Sequence, residues 1–172
     1  MTELAYPNLS PLDRAAIDDL LARYAFAIDM RGWDDLRSVF AADAEIDYSG
    51  GTQRHAGVEN IVEFFRSTAT RVAATQHLLH TSRVWSTGPD AGAGLTHVTA
   101  HHVATHSPRP APPSATFTVT GTYTDRFART PAGWRIMARR LDLLTCAGDP
   151  ALLRPDANTG PSHNRTRTGF DG

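Results

Sequence analysis

Apolar residues recur at helical spacing in the first part of the chain, predicting an amphipathic helix. After the start of this helix they occupy Ile17, Leu20, Leu21, Tyr24 and Ile28. Ser10-Pro11-Leu12-Asp13 is typical of a helix start, because a hydroxyl can cap the first turn, proline suits it and an acid stabilises it. Gly32 predicts the end of this helix. Similar patterns predict a short second helix over about 33–40 and a third helix from about Val58.

The spacing changes to an alternation of apolar and polar residues at 44–48, and again after about Arg71. Gly50-Gly51 ends the first of these strands, and Gly88-Pro89-Asp90 and Thr130-Pro131-Ala132-Gly133 predict hairpin turns. The later strands are predicted over 76–85, 95–106, 115–128 and 134–144, with a stiff proline-rich connection over 108–113. Helices followed by a long antiparallel sheet predict an α+β fold, a curved sheet wrapped around the helices as a cone with a pocket at its open end.

Length and composition fit one domain, which we place at 1–147, followed by an irregular or disordered tail at 148–172. The formal net charge of -1 gives no electrostatic reason to expect a nucleic-acid or membrane partner. The N-terminus lacks the pattern of a secretory signal, and Cys146 is the single cysteine, so a reducing cytoplasm is the expected location.

Arg139 interrupts an apolar face in the last predicted strand, where it alternates with Met137 and Leu141, and Arg135 is expected on the same face. A buried guanidinium needs an acceptor, because burial of an unpaired charge is costly. The acceptor is either a substrate anion or a carboxylate of the protein in a structural ion pair.

Asp29 and His77 are the candidate acid–base residues. Asp29 lies at the end of the first helix, either exposed and paired with Arg23 or Arg31, or buried with a raised pKa. His77 alternates with Leu79 and Thr81 near the start of a strand, where it is either a core residue or a proton shuttle.

Further histidines and tyrosines occupy the predicted strands and helices. His97 and His101 share one face of a strand and His102 and His106 the other, too far apart for a tight metal pair, so we expect no metal site. Tyr24 and Tyr48 fall on interior faces, as core residues or as hydrogen-bond donors to a ligand.

Several segments together resemble one known family. They are residues 14–24 with Asp29, Gly32-Trp33-Asp34-Asp35-Leu36, Val39-Phe40, Asp43-Ala44, Thr75-Gln76-His77-Leu78-Leu79, Gly121-Thr122-Tyr123-Thr124-Asp125-Arg126 and Gly133-Trp134-Arg135-Ile136. In order and spacing they resemble SnoaL-like proteins of the nuclear transport factor 2 superfamily, over roughly residues 11–144. Within that family the chain is similar to bile-acid 7α-dehydratase, scytalone dehydratase and hexachlorocyclohexane dehydrochlorinase.

The resemblance implies an α+β cone and a cofactor-independent lyase in which Asp29 and His77 act as the general base. It implies that Tyr24, Tyr48 and Arg139 belong to the same site. We expect Tyr24 and Arg139 in the catalytic set, and Tyr48, His102 and Tyr123 in contact with substrate. The expected reaction is a dehydratase-type elimination on a hydrophobic cyclic molecule such as a steroid, polyketide or terpenoid of secondary metabolism. A homotrimer is expected, with a dimer second.

Two alternatives remain open from the sequence. Isomerase or polyketide cyclase chemistry would start from the same proton abstraction in the same pocket. A non-catalytic binding module or an oxygenase subunit would use the fold without needing the Asp29–His77 pair.

Overall fold

Three helices lie against one face of a six-stranded sheet in the computed structural model, which describes residues 8–48 and 53–153. The helices are α1 (Pro11–Asp29), α2 (Trp33–Val39) and α3 (Val58–Ala69). The strands are β1 (Phe40–Tyr48), β2 (Gln53–Ala56), β3 (Val72–Gly88), β4 (Ala91–Ala104), β5 (Thr116–Thr130) and β6 (Gly133–Gly148). Short 3-10 turns occupy Pro113–Ala115 and Pro150–Leu153.

The strand order is β2-β1-β6-β5-β4-β3, so the sheet is open, with β2 and β3 at its edges. Neighbouring strands are antiparallel except β1 and β6, which run parallel. This architecture confirms the predicted α+β class with helices before a long antiparallel sheet. Both predicted hairpin turns are present, and β2 is an element that the sequence pattern did not predict.

The core lies between the helices and the sheet. Ile17 and Leu20 of α1, Leu36 of α2, Ile61 of α3 and Ile136 of β6 are all fully buried. Burial of each such side chain contributes about 1.5–3 kcal/mol, so these contacts dominate the docking of the helices. No helix among the described residues is long and apolar enough to cross a membrane.

The two ends of α1 follow from local hydrogen bonds. Ser10 Oγ accepts from the amide of Asp13, as the capping pattern predicted. At the other end, the amide of Gly32 donates to the carbonyl of Ala27, and that of Arg31 donates to Ile28, which is a Schellman motif. The residue with left-handed backbone is Arg31, with φ of 60°, and not the predicted stop Gly32.

A β-bulge near the start of β6 changes which residues face the helices. Phe127 pairs with Ile136 but Arg126 pairs with Ala138, so the extra residue is Met137. Trp134 and Ile136 point inward before this bulge, whereas Arg139 points inward after it. The expectation that Arg135 and Arg139 share a face is therefore wrong, because strict alternation does not survive an inserted residue.

The described residues up to Leu153 include regular structure beyond the predicted domain boundary. β6 continues to Gly148, and the 3-10 turn follows it, so residues 148–153 are not the irregular tail that we expected. Residues 154–172, the predicted Gly50-Gly51 break and the first seven residues lie outside the described residues.

Candidate active site

A cavity of about 430 Å³ lies between the C-terminal halves of α1 and α3 and the inner face of the sheet. Its walls are mainly aliphatic and aromatic, with a few polar groups. The polar or ionisable lining residues are Arg31, Tyr48, Thr68, Thr75, His77, His102, Tyr123 and Cys146. An apolar pocket with a few convergent polar groups is the usual form of a small-molecule site.

Asp29 and His77 form a hydrogen-bonded pair at one wall of this cavity. Asp29 Oδ1 lies 2.7 Å from His77 Nδ1, and Oδ2 accepts the backbone amide of His77 at 2.8 Å. Thr75 Oγ1 donates a further bond of 3.0 Å to Oδ1. Because β3 is an edge strand, the carboxylate at the end of α1 can satisfy an amide that no neighbouring strand pairs.

The pairing sets the charge of Asp29 and the tautomer of His77. Burial raises the pKa of the Asp29 carboxyl, but the hydrogen bonds from His77 and Thr75 outweigh it, and the net pKa is lowered. Asp29 is therefore charged and only accepts, so His77 Nδ1 carries the proton. A neutral imidazole in this tautomer has its lone pair on Nε2, the nitrogen left for chemistry. The His77 side chain is only 7% exposed and lines the cavity.

His102 lies beside the pair on β4. Its ring is 6.0 Å from that of His77, centroid to centroid, and its Nδ1 is 3.0 Å from the carbonyl oxygen of Phe117. A carbonyl only accepts, so Nδ1 donates and Nε2 is again the acceptor. Burial lowers the pKa of His102 to about 4, and the ring is neutral at physiological pH.

Three tyrosine hydroxyls meet at the base of the cavity. Tyr24 Oη lies 2.9 Å from Tyr48 Oη and 3.3 Å from Tyr123 Oη. Tyr48 and Tyr123 line the cavity, whereas Tyr24 is fully buried behind them. Burial raises the pKa of the Tyr48 and Tyr123 phenols well above the ordinary value, with Arg139 acting in the opposite direction, so both stay protonated donors.

Arg139 is enclosed beneath these tyrosines. Its Nε and Nη2 donate to the two carboxylate oxygens of Asp125 at 2.8 Å each, and both side chains are fully buried. Its guanidinium carbon lies 4.1 Å from the ring centroids of Tyr24 and Tyr123. Nη1 has no hydrogen-bond partner among the described residues.

The structure brings together most of the residues predicted for the site. Tyr48, His77, His102 and Tyr123 line the cavity, and Asp29 is bonded to His77. Arg139 does not line the cavity: its Nε and Nη2 donate to Asp125, so of the two acceptors left open by the sequence it has the carboxylate of the protein. Tyr24 likewise reaches the cavity only through Tyr48 and Tyr123.

Two charged residues of this region were not predicted. Asp125 alternates with Tyr123 and Phe127 on an otherwise apolar face of β5, a signal that could have identified the partner of Arg139. Arg31 lines the cavity because of the left-handed turn after α1, which periodicity does not reveal. Within 8–48 and 53–153, no cluster of three or more His, Cys, Asp or Glu residues is placed to hold a metal.

The fold agrees with comparisons to known proteins. A family model described as the SnoaL-like domain matches residues 10–140. The chain belongs to the SnoaL-like domain family. An uncharacterized protein of Mycobacterium tuberculosis, Rv2910c, is 32% identical over 127 residues, which is 74% of this chain and 82% of that relative.

Two solved structures share the fold of this chain. A protein from Novosphingobium aromaticivorans, assigned as an aromatic ring hydroxylase, has a TM-score of 0.75 and 27% identity, covering 86% of this chain and 100% of that one. The hexachlorocyclohexane dehydrochlorinase LinA-type3 from Novosphingobium barchaimii has a TM-score of 0.69 and 20% identity, covering 82% and 95%. At this identity, the second likeness concerns the fold alone.

Proposed function

We propose that this SnoaL-like domain is a cofactor-independent lyase, which catalyses a dehydratase-type elimination on a hydrophobic cyclic molecule. The observation that carries the proposal is the Asp29–His77 hydrogen bond at the wall of an apolar cavity. A general base needs both a fixed tautomer and access to the substrate, and His77 has both. The size and apolar walls of the cavity suit a steroid, polyketide or terpenoid ring system.

The first step is removal of a proton from a carbon next to a carbonyl group by His77 Nε2. The imidazolium that forms is stabilised by the Asp29 carboxylate, 2.7 Å from Nδ1. The electron pair of the broken C–H bond moves onto the carbonyl oxygen. Tyr48 and Tyr123, protonated and facing the cavity, supply hydrogen bonds to the resulting enolate.

The second step expels the hydroxyl group from the neighbouring carbon. The enolate electrons form the new double bond while the C–O bond breaks, and the proton on His77 Nε2 leaves with the hydroxide as water. Neutral His102 can accept a hydrogen bond from the substrate hydroxyl through Nε2 and so orient it. Arg139 does not touch the substrate. Its positive charge, beneath the tyrosine rings, stabilises the negative charge that develops near the tyrosine hydroxyls during the reaction.

A second candidate is a non-catalytic subunit of an aromatic ring hydroxylase. It is favoured by the 27% identity to the Novosphingobium aromaticivorans protein, whose whole length the chain covers. In that case the cavity would have no catalytic role, although it could still bind a small molecule. The lyase requires His77 as a general base, whereas the non-catalytic subunit does not.

The test is proton abstraction itself, which can be followed whatever the final product is. Wild type is incubated in D₂O with a panel of cyclic β-hydroxy ketones of steroid, polyketide and terpenoid type, and NMR follows deuterium uptake and product formation. We expect His77→Ala and Asp29→Asn each to lose about 10²–10⁴ fold in rate. The double variant should be little worse than the worse single one, because the pair acts as a unit.

A matched control is His101→Ala, on the opposite face of β4, where the ring bonds Thr118 and does not line the cavity. It should retain the wild-type rate. Near wild-type exchange in His77→Ala would show that the dyad is structural and would favour the hydroxylase-subunit role. Exchange without loss of water would favour the isomerase or cyclase alternative.

A further inference from the structure

Arg31 places a permanent positive charge in the wall of a mainly apolar cavity. Among the described lining residues it is the one arginine, and no lysine, aspartate or glutamate accompanies it. It follows α1 directly and is half-buried, so burial lowers its pKa while the nearby Asp29 acts in the opposite direction. An arginine stays charged under these conditions.

The Arg31 guanidinium forms no ion pair with a carboxylate among the described residues. Within the described residues its hydrogen bond is from Nη2 to the carbonyl oxygen of Val72, at 2.9 Å, and no ion pair involves it. The nearest anion, Asp29, already accepts bonds from Thr75 and from both the ring and the amide of His77. Arg31 therefore has donors left for another acceptor in the cavity.

The backbone of Arg31 is an unfavourable one for an arginine. Its φ of 60° places it at the position of the Schellman motif where glycine is the usual residue, because a Cβ is strained there. Glycine is present one position later, at Gly32, with an ordinary negative φ. Backbone outliers cluster at ligand sites, so this outlier beside the cavity points to a use of the Arg31 side chain there.

We propose that Arg31 is a substrate-binding residue, and that the substrate is an apolar cyclic compound carrying a carboxylate or similar oxyanion. This inference rests on the proposed function for the reacting part of the substrate. It adds a second point of recognition, near Asp29, for a group other than the reacting carbonyl. The anion pairs with the guanidinium, while the ring system fills the apolar volume and reaches His77.

The experiment uses two fluorescent probes with the same aromatic skeleton. One is 8-anilinonaphthalene-1-sulfonate, an anion, and the other is N-phenyl-1-naphthylamine, which is neutral. Dissociation constants are measured by titration for the full-length wild type and for Arg31→Gln, Arg31→Gly, Arg23→Gln and Ala69→Trp. Arg23 is exposed on α1 and paired with Asp19, and Ala69 lines the cavity at the end of α3.

We expect wild type to bind the sulfonate about tenfold more tightly than the neutral probe, as one charge-assisted hydrogen bond would give. Both Arg31 variants should lose that preference while binding the neutral probe as wild type does. Arg23→Gln should keep the preference, and Ala69→Trp should weaken both probes by filling the cavity. In Arg31→Gly the melting temperature should equal or exceed that of wild type, because glycine relieves the strained φ.

Three results would overturn the assignment. They are a wild type without preference for the sulfonate, an Arg31→Gln that weakens both probes equally, and sulfonate binding that survives Ala69→Trp. A lower melting temperature in Arg31→Gly would mean that the arginine is kept for stability. None of these measurements depends on turnover, so loss of the anion preference and failure of the proposed elimination are separate outcomes.

Discussion

At the scale of single residues, His102 shows how burial sets a protonation state. Its pKa of about 4 follows first from burial and then from the proximity of His77, against the hydrogen bond to Phe117. A neutral ring serves the site as an acceptor. The same shift makes the stability of the protein depend on pH.

We predict that the free energy of unfolding rises with pH between about 4 and 6.5. In that window the unfolded chain binds a proton at His102 that the folded protein does not, so acid favours unfolding. The full effect is about 3 kcal/mol, from about 1.4 kcal/mol for each pKa unit. Urea unfolding at intervals of half a pH unit measures it.

His102→Asn is the variant that isolates this contribution, because its amide can donate to the Phe117 carbonyl but does not titrate. Its stability should change much less over the same interval than that of wild type. A slope as steep as in wild type would assign the acid sensitivity to other groups. Asp29, whose pKa is lowered, loses its contribution from about pH 5 downward, so it affects only the acid edge of the window.

At the scale of elements, the sequence predicted what periodicity and capping control. α1 begins with the Ser10 cap and Pro11, and the period-two segments became β3 to β6. The errors arise where one residue breaks the period. Met137 in β6 reversed the inward face, so Arg135 was placed wrongly and the environment of Arg139 depended on a register that alternation does not give.

The candidate site was also predictable only where it did not depend on local backbone geometry or strand register. The Asp29–His77 pair followed from the family resemblance and is a hydrogen bond in the structure, whereas Arg31 depends on a helix C-cap geometry. Asp125 was within reach of sequence reasoning, because a carboxylate on an apolar strand face needs a partner. That Asp125 pairs with Arg139 depends on the register between β5 and β6, so this ion pair could be identified only from the structure.

Gly148 is predicted to hold the turn Pro150–Leu153 over the cavity. Its φ is +95°, and a Cβ there would lie 2.0 Å from the carbonyl oxygen of Thr116. The turn that follows contributes Pro150 and Leu153 to the cavity wall. Gly148→Ala should therefore cost about 3 kcal/mol or more, or detach this turn and expose the amide of Asp149, which donates to Thr116.

Gly133 provides the matched control. Its φ is +96°, but a Cβ there would meet nothing closer than the flexible end of Arg135, at 3.7 Å. Gly133→Ala should cost only the backbone strain, about 1–2 kcal/mol. Urea unfolding and hydrogen exchange at Asp149 distinguish the two variants. Equal effects of both would show that the contact with Thr116 is not what requires glycine at position 148.

At the scale of the whole molecule, the inner and outer faces of the sheet have different roles. The inner face carries the core, the buried Arg139–Asp125 pair and the cavity. The outer face of β5 is a row of threonines, at positions 116, 118, 120, 122 and 124. Beside it, β3 and β4 expose Leu78 and Leu95. The threonine and leucine side chains of this surface can be buried against another copy with little desolvation cost, and next to them Arg140 and Asp142 of β6 are paired with each other.

We predict that the protein assembles through this outer face as a homotrimer, with a dimer as the second expectation. Light scattering should then give about three times the chain mass of 18.7 kDa. Leu95→Glu should shift the protein toward monomers, because an unpaired carboxylate inside a dry interface costs several kcal/mol. Leu12→Glu is the control, since Leu12 is an exposed leucine on α1, away from the sheet. A monomeric wild type would contradict the assembly, and an oligomer disrupted by Leu12→Glu but not by Leu95→Glu would place the interface on the helical side instead.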